Sequence, residues 1–224
     1  MGRLYLVSTP IGNLEDITLR AKRILSEVEI IACEDTRKTG LLLKKLRIAK
    51  KPLLSYYEEN ELKRIPQIIK YLKEGRKVAL VANAGTPLVS DPGYKLVRAC
   101  LVEKIGVEAV PGASAVLTAL VVSGLPTDRF LFLGFLPKKQ GKRKKMLQSL
   151  PEKTTIIFFE SPYRLLKSLA EIKEILADPE VVVCRELTKV HEEIRREKVS
   201  QLIKEYEKKK PRGELTLVFR SPPR

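Results

Sequence analysis

Short apolar runs, each released into a loop of small and turn-forming residues, recur through the first half of this chain. Residues 4–7, Ile30–Cys33 and Val78–Val81 are such runs, and Leu53–Ser55 and residues 107–110 are lesser versions. A continuous apolar run bounded by turn residues is the pattern of a strand buried on both faces of a parallel sheet. Between the runs, apolar residues return at helical spacing. Ile17, Ala21, Ile24, Leu25 and Val28 form one stripe, with Asp16 placed to cap it, and Ile65, Ile68, Ile69 and Leu72 form another that stops at Gly75. Further helices are predicted from Tyr94 through residue 102 and over residues 115–123. This alternation predicts an α/β domain with a largely parallel sheet.

The Gly124-Leu125-Pro126-Thr127-Asp128 turn ends a helix, and the chain restarts as the strand Phe130–Phe135. It predicts a domain boundary, with residues 1–124 in an N-terminal α/β domain and 125–224 in a C-terminal one. In the second half, residues 155–159, 181–184 and 214–219 read as strands. Leu165, Leu166, Leu169, Ile172 and Leu176 line a helix, and residues 202–206 belong to another. The elements alternate less regularly here, which predicts a mixed, partly antiparallel sheet.

The chemistry-bearing loops follow the strands. VALVANAGTPLVSDPGY, residues 78–94, passes from a buried strand into two turns with Asp91 between Pro87 and Pro92. Gly85 lets backbone approach a ligand, and the two prolines stiffen the loop. In open α/β sheets, ligands bind at the loops that leave the carboxyl ends of strands. Ser8-Thr9-Pro10-Ile11-Gly12-Asn13 is a second such loop and Pro111-Gly112-Ala113-Ser114 a third. The Ser8–Asn13 loop has neither the Gly-x-Gly-x-x-Gly spacing of a dinucleotide site nor a P-loop lysine. Three loops of this kind point to one small-molecule pocket. Glu34-Asp35-Thr36-Arg37, also at a strand end, fits either polar chemistry or a helix start capped by Asp35 or Thr36.

Composition narrows the partners. With 224 residues, 44% hydrophobic and 31% charged, the chain is long and apolar enough for a real core. Its longest apolar stretch, residues 115–122, is interrupted by Thr118 and too short to span a bilayer, and MGRLYLVSTP lacks the form of a signal peptide. The expectation is a cytoplasmic protein with no membrane partner. Cys33, Cys100 and Cys184 are widely spaced and His191 is the only histidine, so neither a disulfide framework nor a metal site is expected. The net charge of +16 calls for a polyanionic partner, and nucleic acid is the usual one. Lys138, Lys139, Lys142, Arg143, Lys144 and Lys145 read as an RNA-binding, phosphate-tracking loop, although a solvated face would look the same. The run 208–212 adds further basic residues.

LVSTPIGNLEDIT, ACEDTR, AGTPLVSDPGY, VPGASAVLTAL, FFESPYRL, CRELTKVHEE and GELTLVF, in this order, span nearly the whole chain. Together they resemble the bacterial ribosomal RNA ribose methyltransferases of the tetrapyrrole-methylase-like superfamily. The resemblance implies 2′-O-methylation of a cytidine in small-subunit (16S) ribosomal RNA, with S-adenosylmethionine as cofactor. It also implies two α/β domains with the cofactor in the cleft between them, a homodimer, and ribosomal RNA or the small subunit as partner. Pro10, Gly85, Thr86, Pro87, Asp91, Gly112, Ser114 and Ala115 would hold the cofactor, with Phe159, Leu187, Thr188, Gly213 and Glu214 from the second domain. The chain departs from the family at Ala82-Asn83, where a Ser-Asp pair is common, and at Tyr57, Glu59 and Tyr163, where histidines are common.

Methyl transfer from a sulfonium to a hydroxyl is an in-line displacement, so positioning supplies much of the acceleration. A neutral 2′-hydroxyl is a poor nucleophile, and a base or a cation beside the developing alkoxide helps. Asp35 paired with Arg37 is the expected catalytic set, with Glu34 beside them. Glu58 and Glu160 are further candidate bases, and Arg185 and Lys189 further cations. Two other readings compete: a methylase of a small tetrapyrrole or modified amino acid, and a non-enzymatic RNA-binding assembly factor.

Overall fold

In a computed structural model, which describes residues 2–209 and 211–223, the apolar runs of the first half are strands of one parallel sheet. They are β1 (Arg3–Val7), β2 (Ile30–Cys33), β3 (Leu53–Ser55), β4 (Val78–Val81) and β5 (Gly106–Val110), in the order β3-β2-β4-β1-β5. Between them run α1 (Leu19–Glu27), α2 (Thr36–Lys45), α3 (Glu61–Lys73) and α4 (Tyr94–Val102). The strands lack polar alternation because both faces are covered. Tyr5, Val7, Ile31, Cys33, Ala79 and Val81 pack with Ala21, Ile24 and Leu25 of α1 and Leu43 of α2. Their neighbours Leu4, Ile30, Ala32, Val78 and Leu80 pack on the other face with Ile68 and Leu72 of α3 and Leu96 of α4. Each Val, Leu or Ile among them contributes about 1.5–3 kcal/mol by leaving water.

Because β1 pairs in parallel with both β4 and β5, the loops after all three leave one edge of the sheet. One expected cap moves. Asp16 lies in a short 3-10 turn, and the Thr18 hydroxyl caps α1 by accepting from the Ala21 N–H at 3.0 Å.

The chain divides into two compact units, Met1–Ser114 and Ala115–Arg224. The second begins with α5 (Ala115–Val122), which the boundary read from the sequence leaves in the first domain. This helix packs on strands of the second sheet, and that contact decides its membership. The second unit continues through β6 (Phe130–Phe135), α6 (Gln140–Gln148), β7 (Thr155–Glu160), α7 (Leu165–Leu176), β8 (Glu180–Arg185), β9 (Glu193–Lys198), α8 (Val199–Lys208) and β10 (Leu215–Arg220). Its sheet order is β6-β7-β10-β8-β9. Among the described residues β6 and β7 pair in parallel and the other pairs are antiparallel, so the sheet is mixed as expected. Ile156, Phe158, Val181, Val183, Leu217 and Phe219 form its core with Leu165, Leu169 and Ile172 of α7 and Leu202 of α8. Cys33, Cys100 and Cys184 are free and buried, and burial pushes the Cys100 thiol up to about 11 and the Cys184 thiol up to about 12. Among the described residues no helix is long and apolar enough to cross a membrane.

The basic run departs from its expected form. Lys138 and Lys139 precede α6, and Lys142, Arg143, Lys144 and Lys145 lie within it, so the segment is a helix start and not a loop. Arg143 faces inward and is 5% exposed. Its Nε and Nη2 donate to the two carboxylate oxygens of Glu171 on α7, at 2.6 and 2.7 Å, and its Nη1 donates to the carbonyls of Pro137 and Lys138. A fork of this kind satisfies the buried guanidinium and commits Arg143 to the fold. Lys144 is paired with Glu174 at 2.7 Å, which leaves Lys138, Lys139, Lys142 and Lys145 exposed and available to a polyanion. In the second basic run, Lys210 lies outside the described residues.

Arg143→Ala strands Glu171 as a buried charge and is expected to lower stability by about 3–5 kcal/mol in urea unfolding. Arg143→Met combined with Glu171→Leu recovers most of that loss. An unchanged urea midpoint in Arg143→Ala would contradict the inward, structural role.

Candidate functional site

The loops after β1, β4 and β5 are knitted together by short polar contacts. Thr9 and Gly85 exchange backbone hydrogen bonds, N–H to O, at 2.9 and 3.0 Å. The Ser8 hydroxyl donates to Thr86 Oγ1 at 3.1 Å, and Thr86 Oγ1 donates to the Ala113 carbonyl at 3.2 Å. Two glycines allow this proximity. Gly85 has φ +78°, and a Cβ there would stand 3.2 Å from Ile11 Cγ2. A Cβ on Gly112 would stand 2.9 Å from that of Ser8. Pro10, Gly85, Thr86, Pro87, Gly112 and Ser114 thus lie on loops of one sheet edge, and Ala115 opens α5.

Beyond Pro87 the backbone is strained. Leu88 and Ser90 adopt left-handed φ values of 71° and 67°, conformations that cost free energy in residues with side chains. That path delivers Asp91 to a cavity of about 530 Å³, lined by Glu34, Asp35, Glu58, Glu59 and Asp91 together with Arg37 and Asn83. Burial, and then the Glu34 charge, push the Asp91 carboxyl up to about 6.

Asn83 Nδ2 donates to Glu34 Oε2 at 2.7 Å, while Asn83 Oδ1 is buried without a hydrogen-bond partner. Register explains the pairing. Cys33 and Val81 are aligned partners of β2 and β4, so the residues just past them emerge side by side. In the sequence Asn83 stands in the loop after Val81 as a departure from the family, with no sign of a partner. Knowledge of the β2–β4 pairing would have exposed its contact with Glu34.

Asp35 has another task. Its Oδ1 accepts from the N–H groups of Arg37 at 2.9 Å and Lys38 at 3.3 Å, capping α2. The Lys38 and Arg37 amides hold it below the usual carboxylate range, which makes it a weaker base. The Arg37 side chain is 92% exposed, with Nε 3.6 Å from Asp35 Oδ1.

In the second unit, the expected cofactor residues gather at neighbouring strand ends. Phe159 lies opposite Thr216 in the β7–β10 pair, and its ring packs edge-on against Phe132 and Phe135 at 5.0 and 5.6 Å. Glu186 joins the 186–189 turn to residues 213–214, accepting from Lys189 Nζ and the Glu214 N–H, both at 2.8 Å. Lys189 also reaches Glu214 at 2.9 Å. Gly213, at φ +92°, is closed over by Glu186, whose carboxyl carbon would lie 2.5 Å from an added Cβ. Leu187, within this turn, is buried, and the Thr188 N–H donates to Glu192.

Glu160 is not a free base. Its side chain is buried, paired with Arg164 at 2.6 Å, and accepts from the Ser161 N–H and the Ser168 hydroxyl. Arg185 and Lys189 are likewise committed to Glu193, Glu186 and Glu214.

A family model of tetrapyrrole (corrin/porphyrin) methylases matches residues 3–203. The chain belongs to this family. Among relatives of this methylase, Ribosomal RNA small subunit methyltransferase I of Thermotoga maritima is 54% identical, covering 98% of each chain. The Synechocystis protein of the same name is 46% identical over 98% of this chain and 79% of its own. Among solved structures, uroporphyrin-III-C-methyltransferase from Thermus thermophilus aligns with a TM-score of 0.67 at 25% identity, covering 97% of this chain and 94% of its own. A structure of uroporphyrin-III C-methyltransferase from the same organism, complexed with S-adenyl homocysteine, shares the fold with a TM-score of 0.65 at 20% identity and 97% coverage of both chains.

The acidic cavity gives this methylase a pH signature. Unfolded, the Asp91 carboxyl ionises near 3.8; folded, it keeps its proton up to about 6. Between those values the folded state binds more protons, so this stabilisation is complete below 3.8 and lost as pH rises through about 6. Asp91→Asn is expected to raise stability by about 1–2 kcal/mol near pH 7.5 and by little near pH 4. Melting temperatures of both proteins at the two pH values decide it, and an equal difference at both would overturn the assignment.

Proposed function

We propose that this methylase transfers a methyl group from S-adenosylmethionine to the ribose 2′-oxygen of a cytidine in small-subunit ribosomal RNA. The observation that carries the reading is 54% identity, over 98% of both chains, to a relative named as a small-subunit ribosomal RNA methyltransferase. The net charge of +16 suits a polyanionic substrate far better than a small tetrapyrrole. The reading includes a homodimer working in the cytoplasm.

The residues present fit the cofactor. A sulfonium and an amino group are cationic, and five carboxylates but one arginine line the cavity. The buried Asn83 Oδ1 also offers unused acceptor capacity. Pro10, Gly85, Thr86, Pro87, Asp91, Gly112, Ser114 and Ala115 are proposed to hold it, with Phe159, Leu187, Thr188, Gly213 and Glu214 of the second unit. When bound, S-adenosylmethionine supplies an electrophilic methyl group on a good leaving group.

The chain's own work is to position the hydroxyl and remove its proton. A base works best with a pKa near the operating pH, which favours Asp91 over the capped Asp35. Asp91 takes the 2′-hydroxyl proton in this scheme, Glu34 and Asn83 fix the adjoining wall, and Arg37 offsets negative charge developing on oxygen. Lys138, Lys139, Lys142 and Lys145 hold RNA phosphates, and Asp35 positions Arg37 through the α2 cap.

The decisive assay is labelled methyl transfer to small subunits that lack 2′-O-methylation, mapped by resistance to alkaline cleavage. One protected cytidine is expected, and labelling of a small molecule with no RNA product would overturn the reading. In single turnover, Asp91→Asn is expected to lose about 10²–10⁴-fold in rate, and Asp35→Asn less than about tenfold, because a cap contributes chiefly to stability. The reverse ranking would restore Asp35 as the base.

A further inference from the structure

A second cavity adjoins the acidic one, and it has the opposite chemistry. About 790 Å³ in volume, it is formed by α2 and the segment leading into β3. Thr36 and Arg37 line both cavities, so the two meet at the first turn of α2. Lys44, Lys50 and Lys51 join Arg37 around the second cavity, which among the described residues no carboxylate lines, and Leu43, Ile48, Pro52 and Leu53 give it an apolar floor. Lys44 sits in the last turn of α2, and Lys44 and Lys50 are both exposed.

We propose that this groove holds the RNA segment next to the target nucleotide, its phosphate on Lys44 and Lys50 and its sugar or base on the apolar floor. The inference rests on the reading of the acidic cavity as the place where an RNA methylase brings the target ribose against its cofactor. An RNA strand cannot run its phosphates past five carboxylates without strong repulsion. A nucleotide presented to that cavity must therefore place its neighbouring phosphate outside the acidic wall, and the adjoining cation-lined groove accepts it. Arg37, on the shared wall, marks the point where the strand crosses from one field into the other. The exposed lysines of α6 are a separate set, belonging to the second unit.

The test compares Lys44→Ala/Lys50→Ala with Lys63→Ala/Lys70→Ala. The second pair removes the same charge from α3, whose buried residues pack on the opposite face of the sheet. Unpaired ribosomal RNA fragments carrying the target site are bound across a range of salt concentrations, and S-adenosylmethionine affinity is measured separately. Lys44→Ala/Lys50→Ala is expected to flatten the slope of log K against log salt by about 0.7, the share of one lost phosphate contact on a single strand. Affinity near 0.15 M salt should fall about tenfold or more and the KM for RNA should rise, while cofactor affinity holds and the α3 pair changes little.

Equal slopes in wild type and Lys44→Ala/Lys50→Ala, or equal losses in both double variants, would overturn the groove. Failure of the underlying function looks different: wild-type protein would transfer no methyl group to RNA, whatever its salt slope.

Discussion

The parallel pairing of β1 with both β4 and β5 is the constraint on which the site depends. It requires a strand with no polar face, because helices cover both sides, and it sends three loops off one edge. Those loops then lie close enough for Thr9 and Gly85 to exchange backbone hydrogen bonds and for Thr86 to join Ser8 to Ala113. Glycine is needed where the loops touch, as the 2.9 Å approach of a Cβ on Gly112 to Ser8 shows. The fold thus supplies a rigid polar edge before any ligand arrives.

Beside that edge the chain accepts costs that a purely structural design would avoid. Leu88 and Ser90 hold left-handed backbone, Asp91 is half-buried near Glu34, and Asn83 Oδ1 lacks a partner. All of them fall within residues 83–91. Concentration of strain and incomplete hydrogen bonding in one short segment is expected where a site is preorganised for something other than its own stability.

The first unit was largely legible in the sequence because its signals are local. Apolar runs such as Val78–Val81 name their own strands, and the helices between them follow the 3.6-residue period. The second unit hid more. The EIRREK segment of β9 is a half-buried edge strand whose residues are all charged except Ile194, so it leaves no apolar signature. QGKRKKMLQ reads as a charge run until Glu171, twenty-eight residues away, draws Arg143 inward and α6 forms around it. Charge counts reveal how many cations a segment carries, but not which one has a buried partner. At the site, the Glu34–Asn83 contact needed strand register, and the choice between cap and catalyst for Asp35 needed the positions of two amide hydrogens.

The three cysteines carry a consequence of their own. Cys33 belongs to one face of the first sheet, Cys100 to the helical layer on the other, and Cys184 to the second sheet. Each is buried and each thiol is held above its ordinary range, chiefly by burial, so little thiolate meets solvent while the fold is closed. Alkylation of a given cysteine therefore waits for the layer around it to open. The chain carries built-in reporters of local opening, two in the first unit and one in the second, whose labelling rates would order the events by which the molecule comes apart.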